Sequence, residues 1–397
     1  MKIVITHNDF RAYFPPRLLA LQEFLEQRGH ELYILELFEE SIDYKFADND
    51  KSTFHNHEFL FPTYKGISMG AINRKLTKRL DEIDPDVVVS GAIAFPVGAT
   101  AVRWAQSRGK RAIVMDNAQK DTFERSRLNR FIKKRIFRYV DAFLCPSDKW
   151  DATLEYWGFE KEQIFYGLNA SDNKFWDVDP GTDVGDEGFF LSVGRFVPKK
   201  NQMDILEAYK IYSCKAGDSA PKLLMIGDGV ERSRLTEYVS QNALYGVTLL
   251  PFKTPQELRA YYHRASCFII ASNKEETWGM VVNEAMNGGC AIIASDQTGC
   301  ASTLVEEGID GYIFETGSVT ELAGAMERYE ELSLDSKDSM SRRSCEIVAD
   351  WGLERFSAGA AGAIDNVIGR NRKAVNPLDW IILRLWKGRL RFDENSH

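Results

Sequence analysis

Short β-branched runs alternate with helical patterns twice along this chain, with a break between the two series, and this constrains its fold more than any other feature. In the first half the runs are KIVIT (2–6), ELYILE (31–36), DVVVSG (86–91), RAIVMD (111–116) and DAFLCPS (141–147). A stretch rich in glycine, proline and acidic residues follows at 177–188. The series then resumes with FFLSVGR (189–195), KLLMIGDG (222–229), VTLLPF (247–252), CFIIAS (267–272), CAIIAS (290–295) and GYIFE (311–315). Apolar runs of this length, separated by helices, predict parallel strands buried on both faces. The expected fold is α/β, with two doubly wound Rossmann-like domains at residues 1–176 and 177–350. A final helical segment, 351–397, is expected to cross back to the first domain. At 397 residues the chain exceeds the usual size of one core. Ligands of open sheets bind beyond the carboxyl ends of the strands, so the expected site is a central cleft faced by both sheets.

Residues 17–28 (RLLALQEFLEQR) carry apolar side chains at helical spacing and stop at Gly29, a good left-handed cap. Residues 39–70 are polar and irregular, and read as an insertion or long loop. A net charge of −8 argues against a broad basic face for nucleic acid. The six cysteines form no C-x-x-C pair and several lie in apolar runs, which suits reduced thiols in the cytosol. The chain opens directly on a strand, without a leader pattern, and no stretch has the roughly 20 apolar residues of a spanning helix. A cytoplasmic protein is expected, with contact to the inner face of a membrane as an open alternative.

The densest chemical signal is ASNKEETWGMVVNEAMNGGCAIIAS (271–295). A strand ends in a polar loop, a helix runs from about Gly279 to Asn287, and Gly288 and Gly289 stop it. Glu276 in the loop and Glu284 in the helix fall where both carboxylates can face the strand ends. Carboxylates accept well from vicinal diols. The first-turn amides around Thr277, Trp278, Gly279 and Met280 can hold an anion or sugar hydroxyls. Upstream, LSVGRFVPKKNQ (191–202) ends a strand at Gly194 and supplies Arg195 and Lys200 beside a helix start. Two cations and a positive dipole end are what a diphosphate leaving group needs.

The order and content of these segments resemble retaining GT-B glycosyltransferase family 4. The glutamate pair sits in E-T-W-G-M-V-V-N-E-A-M, similar to the family's E-x7-E stretch, and V-G-R-F-V-P-K-K-N is similar to its G-R-L-x-x-x-K-G, with Asn201 in the glycine position. MIGDGVERSRL (225–235) looks like the family's strand and G-x-G turn at Gly227, although Arg232 breaks the dinucleotide fingerprint. PFKTPQELRAYYHRA (251–265) matches the element whose main chain, near Phe252 and Lys253, meets the nucleobase. The resemblance implies a two-domain GT-B fold and a nucleotide-sugar co-substrate, with a UDP-sugar as the base-rate choice. It implies Glu284 on the ribose, Arg195 and Lys200 on the diphosphate, and Glu276 with the amides of residues 278–280 on the sugar. Hexosyl transfer with retention, to a saccharide or lipid-linked glycan of cell-surface polysaccharide synthesis, would follow without metal or other cofactor.

The first half departs from that pattern. Its first loop, THNDFRAYFPPR, has no glycine where the family often has a pair. Asp116 and Asn117 stand where a histidine is often found, which makes Asp116 the candidate near the reacting centre. A catalytically inactive nucleotide-binding or scaffold module is the competing reading. His7 is placed near the cleft or as a structural residue, His263 as structural, and His55 and His57 fall short of a metal site. Two basic, aromatic segments, 124–138 and 378–392, read either as solvated amphipathic helices or as contacts with an anionic membrane.

Overall fold

In the computed structural model of the chain, residues 1–40, 54–182, 184–185, 188–370 and 374–389 are described. Parts of the 177–188 linker, of the 39–70 segment and of the 378–392 tail lie outside them. The chain forms two compact units, one of Met1–Ala170 with Leu353–Asp393, the other of Ser171–Gly352. It changes unit at Ala170 and again at Gly352, against expected boundaries at 176 and 350.

The first unit contains strands β1 (Lys2–His7), β2 (Glu31–Phe38), β3 (His57–Phe61), β4 (Val87–Ser90), β5 (Arg111–Met115), β6 (Ala142–Cys145) and β7 (Ile164–Tyr166). Helices α1 (Phe14–Glu26), α2 (Met69–Ile83), α3 (Pro96–Arg108), α4 (Arg127–Phe137) and α5 (Asp151–Trp157) connect them. The sheet is parallel, in the order β3-β2-β1-β4-β5-β6-β7. It therefore reverses direction between β1 and β4.

The strand β3 corrects the reading of 39–70 as irregular. His57–Phe61 pairs with β2, and His57 Nε2 lies 2.7 Å from the buried Glu36 carboxylate. The polar residues of HEFLF disguised an edge strand whose histidine is met by a partner inside the sheet. Strand β7, only three residues long, is too short for an apolar run to mark it in the sequence.

The second unit has α6 (Asn173–Trp176), then β8 (Phe189–Val193), α7 (Gln202–Ala216), β9 (Leu223–Ile226), α8 (Arg232–Gln241) and β10 (Val247–Leu250). There follow α9 (Pro255–Arg264), β11 (Ala265–Ile270), α10 (Met280–Asn287), β12 (Ala291–Ser295), α11 (Ala301–Leu304), β13 (Gly311–Phe314), α12 (Val319–Glu330) and α13 (Leu334–Ala349). Its parallel order is β10-β9-β8-β11-β12-β13, with the reversal between β8 and β11. Phe190, Leu223, Met225, Ile269 and Ile293 are fully buried in its core, as β-branched and aromatic runs covered by helices on both sides require.

After α13 the chain re-enters the first unit as α14 (Leu353–Ile368) and α15 (Pro377–Leu385). The small residues of AGAAGAI let α14 approach closely: a Cβ on Gly359 would stand 1.8 Å from the Tyr166 carbonyl of β7. Ala360, Ala363, Ile364 and Val367 complete its buried face.

Ahead of β13, Asp310 is fully buried, with Oδ1 accepting the Glu306 amide at 2.6 Å and Oδ2 without a hydrogen-bond partner among the described residues. Burial, the leading cause, pushes its carboxyl from 3.8 up to about 6. Because the folded value lies above the unfolded one, the stabilising contribution is present below pH 3.8 and lost as pH rises through about 6. The loss amounts to about 3 kcal/mol. Urea titrations at pH 5 and 7.5 should show Asp310→Asn without this component of the pH slope. Parallel curves for wild type and variant would refute the assignment.

Candidate functional site

At the reversal of the second sheet the loops after β8 and β11 lie side by side. The Asn273 amide donates to the Lys199 carbonyl at 2.9 Å, stitching the loops at their midpoints. Across this seam Lys200 Nζ meets Glu276 Oε2 at 2.6 Å, and Lys199 Nζ approaches the same oxygen at 3.7 Å. Burial would raise the Glu276 carboxyl, but Lys200, Lys199 and Arg195 outweigh it and hold the group below its ordinary value. It is therefore a carboxylate throughout the neutral range. Burial beside Lys200 and Arg195 lowers Lys199, with Glu276 opposing the shift. The neighbouring Glu275 is exposed, so the register that selected Glu276 is the one that carries the ion pairs.

Local backbone explains how the cations reach this point. Lys200 closes a short 3-10 turn, Pro198–Lys200, and Asn201 then adopts φ 48°, ψ 39° before α7 begins. A left-handed residue is required there, and asparagine tolerates that conformation better than most side chains. This accounts for Asn201 in a glycine position. Arg195 is half-buried, and its carbonyl accepts from Gln202 Nε2 at 2.7 Å.

Helix α10 starts at Gly279, which has φ 98° and offers no capping side chain. Helices α7 and α8 also begin without a side-chain cap. Only α7 and α10 start at the reversal itself; α8 and the short α11, which also lacks a side-chain cap, follow the next strands out, and α9, α12 and α13 are capped by Thr254, Ser318 and Ser333. First-turn amides at α7, α8 and α10 thus point from one sheet edge with no side chain of their own helix covering them, an arrangement suited to phosphate oxygens.

Glu284 lies inside α10, buried, and accepts from the Tyr262 hydroxyl at 2.8 Å. The two glutamates are therefore held by different partners, Glu276 by lysines and Glu284 by a phenol. Trp278 is buried against Trp351 at a ring separation of 4.9 Å, with Nε1 donating to Asn283 Oδ1 at 2.8 Å, and so it anchors the loop from behind. Thr277 gives its carbonyl side to Gly299, where a Cβ would fall 2.2 Å from that oxygen. Lys253 pairs with Glu257 at 3.0 Å, and Phe252, 42% exposed, precedes it in the loop after β10.

The loop after β9 approaches that after β8 so closely that a Cβ on Gly227 would sit 1.9 Å from the Gly194 carbonyl. Arg232, where the dinucleotide fingerprint breaks, donates to the carbonyls of Gly227 at 2.7 Å and Leu250 at 3.3 Å. It ties the ends of β9 and β10 together in place of a small residue. The sequence analysis does not single out Lys199 or Tyr262, and it marks Arg232 only as a break in the fingerprint. The KK pair was a visible signal for Lys199, whereas nothing in ELRAYYHRA marks Tyr262.

Asp116 belongs to the first unit, at the end of β5, with Oδ1 accepting the Ala118 amide at 3.0 Å. Its charge is felt by Arg125 and Lys133, the latter lowered to about 8 chiefly by burial. His7 Nδ1 lies 2.8 Å from the Asp9 carbonyl, and its ring packs on Phe10 and Phe14. A Cβ on Gly91 would come 2.5 Å from that ring, so the glycine absent after β1 is present after β4, across the reversal of the first sheet. His263 Nε2 is bonded to the Trp176 carbonyl at 2.9 Å, a structural role.

Two Rossmann-like parallel-sheet units, the second with clustered cations and uncapped helices at its reversal, have the architecture of the GT-B fold. The pattern of "Glycosyl transferases group 1" matches residues 177–345, and that of "Glycosyltransferase Family 4" residues 17–167. The chain belongs to this group 1 glycosyltransferase family. A putative colanic acid biosynthesis glycosyltransferase of Salmonella typhimurium is 26% identical over 68% of this chain and 69% of its own. A GDP-mannose-dependent alpha-mannosyltransferase of Mycobacterium tuberculosis is 28% identical over 75% of this chain and 80% of its own. Among solved structures, Anabaena HepE in complex with UDP superposes with a TM-score of 0.72 at 15% identity, covering 92% of this chain and all of that one.

Proposed function

We propose that the protein is a retaining, metal-independent glycosyltransferase that moves a hexosyl group from a nucleoside-diphosphate sugar to a hydroxyl of a saccharide or lipid-linked glycan. The observation that carries this reading is the convergence of Lys199, Lys200 and Arg195 with Glu276 at the reversal of the second sheet. In the proposed donor complex Lys200 leaves Glu276 for the diphosphate, and Glu276, with the amides of residues 278–280, takes the sugar hydroxyls. Glu284 takes the ribose diol, displacing or sharing the Tyr262 hydroxyl. The bond from the anomeric carbon to the diphosphate breaks and leaves an oxocarbenium-like centre. The acceptor oxygen forms the new bond on the same face, and its proton passes to the departing phosphate oxygen. The cations and the helix amides stabilise that charge, so neither metal nor other cofactor is invoked.

A UDP-sugar is the favoured donor, and cell-surface polysaccharide or glycoconjugate synthesis the favoured setting. The UDP complex of HepE and the colanic acid enzyme support these choices by similarity. Asp116 is retained as an acceptor-side residue. Incubation with UDP-, GDP- and ADP-sugars in EDTA should release one nucleoside diphosphate and give a product with the donor's anomeric configuration. An inverted product would exclude retention. Binding of nucleotide without turnover of any donor, over a range of saccharide acceptors, would favour the inactive-module reading.

A further inference from the structure

Helix α15 is amphipathic in the wrong sense for a helix at the surface of a folded unit. It docks through Asp379, which is fully buried, and Leu383, and turns Leu378, Trp380, Ile381 and Leu385 outward at 46–72% exposure. At 100° per residue these positions, with Arg384, form one continuous face opposite the docked one.

The docking itself is firm. The Asp379 carboxylate accepts from Tyr139 Oη at 2.6 Å and from Asn376 Nδ2 at 2.8 Å, and is ion-paired with Arg135 of α4. Trp386 Nε1 donates to the Ile93 carbonyl at 2.8 Å, and the Arg389 amide to that of Ala94 at 2.8 Å. The outward face is thus presented by a helix held in place, and it stands next to the loop that follows β4.

The apolar surface continues onto α4. Arg135, while paired with Asp379, also lies over the Phe131 ring at 5.8 Å, and Phe131 and Leu128 are 48% and 66% exposed. Around them Arg127, Arg130, Lys134 and Arg138 on α4, and Arg384 and Lys387 at the end of α15, are exposed. Across 124–138 and 374–389 the one exposed carboxylate is Glu124. In a chain of net charge −8, this concentrates positive charge around an apolar ridge. Among the described residues no helix is long and apolar enough to cross a membrane. Apolar anchors ringed by cations complement an anionic bilayer, into which the ridge can dip while the lysines and arginines meet the headgroups.

We propose that α4 and α15 together form a docking surface for an anionic phospholipid bilayer, with Leu378, Ile381, Leu385, Trp380, Phe131 and Leu128 inserted. The surface is separate from the donor residues and does not depend on the function proposed above. It would bring the carboxyl edge of the first sheet to the membrane, because α15 is fastened to the loop after β4.

The test is flotation of the full-length protein with vesicles of phosphatidylcholine alone or with about one-third phosphatidylglycerol. Wild type should float with the anionic vesicles and not with the neutral ones. Ile381→Glu with Leu385→Glu should abolish flotation. Arg130→Glu with Lys134→Glu and Arg384→Glu should lower partitioning roughly 100-fold, at about fivefold per cation. Both variants should keep the wild-type Tm and nucleoside diphosphate affinity, since neither alters the Asp379 contacts or the second unit. Brominated lipid should quench tryptophan fluorescence of wild type, and less so of Trp380→Leu. Three results would overturn the proposal: no flotation of wild type, flotation undiminished in the glutamate variant, or a wild-type dimer that the glutamate variant splits, since the ridge would then be covered by a second copy.

Discussion

Lys200→Ala is expected to lower kcat/KM for donor turnover by about 10²–10³-fold, the usual effect of removing one preorganised charge from a developing anion. Lys200 is the nearer of the two lysines on Glu276, at 2.6 Å against 3.7 Å for Lys199, and it projects from a turn fixed by the left-handed Asn201. Its loss leaves Glu276 with Lys199 and Arg195, so the carboxylate is not stranded and the variant should fold. Lys200→Arg should recover part of the rate, because it restores the charge but not the reach of a slender ammonium. Stopped assays of nucleoside diphosphate release, with Tm as the folding control, decide the matter. A rate within threefold of wild type would remove Lys200 from the mechanism.

Gly227→Ala should disturb the same site by a different physical route. Its added Cβ would stand 1.9 Å from the Gly194 carbonyl and 3.2 Å from Phe196 Cε1, and the first obstacle is backbone. The loops after β8 and β9 must separate, while the Gly227 amide is held by Leu250 and the Gly227 carbonyl by Arg232. Overpacking of this kind costs about 1–3 kcal/mol of stability. Because Arg195 and Lys200 ride on the displaced loop, nucleoside diphosphate affinity should fall at least about tenfold, a change of roughly 1.4 kcal/mol. Calorimetric titration with UDP and GDP, beside a thermal melt, separates the two effects. Gly324→Ala, within α12 at a position with nothing within 4 Å and an ordinary helical φ, is the control for a glycine replaced outside the crevice.

Much of this fold is legible in the sequence. Periodicity located the strands at the centres of both sheets because a buried parallel strand is apolar on both faces, and that pattern survives without context. It missed β3, where His57 and Glu58 interrupt the apolar pattern of the pairing with β2, and β7, which is only three residues long. The eight-residue step from Glu276 to Glu284 and the five-residue step from Arg195 to Lys200 survive in sequence, since each spans one loop and one helix start. What the spacing left open was which partner each group meets. That Glu276 faces Lys200 and Glu284 faces Tyr262 follows from the reversal between β8 and β11 and from the packing of α9 on α10, both long-range facts. Arg232 illustrates the same limit. In the sequence it is a broken fingerprint, whereas in the fold it clamps the carbonyls that end β9 and β10.

The ion pair between Lys200 and Glu276 makes the central claim testable in one comparison. Glu276 competes with the donor diphosphate for Lys200 and is also the proposed partner of the sugar. Glu276→Ala should therefore bind free nucleoside diphosphate at least as tightly as wild type, yet turn over the nucleotide sugar about 100-fold more slowly. The measurement is the Kd of the diphosphate and the kcat of its release, taken on the same preparation. Unchanged turnover, or loss of diphosphate binding in step with turnover, would contradict the account.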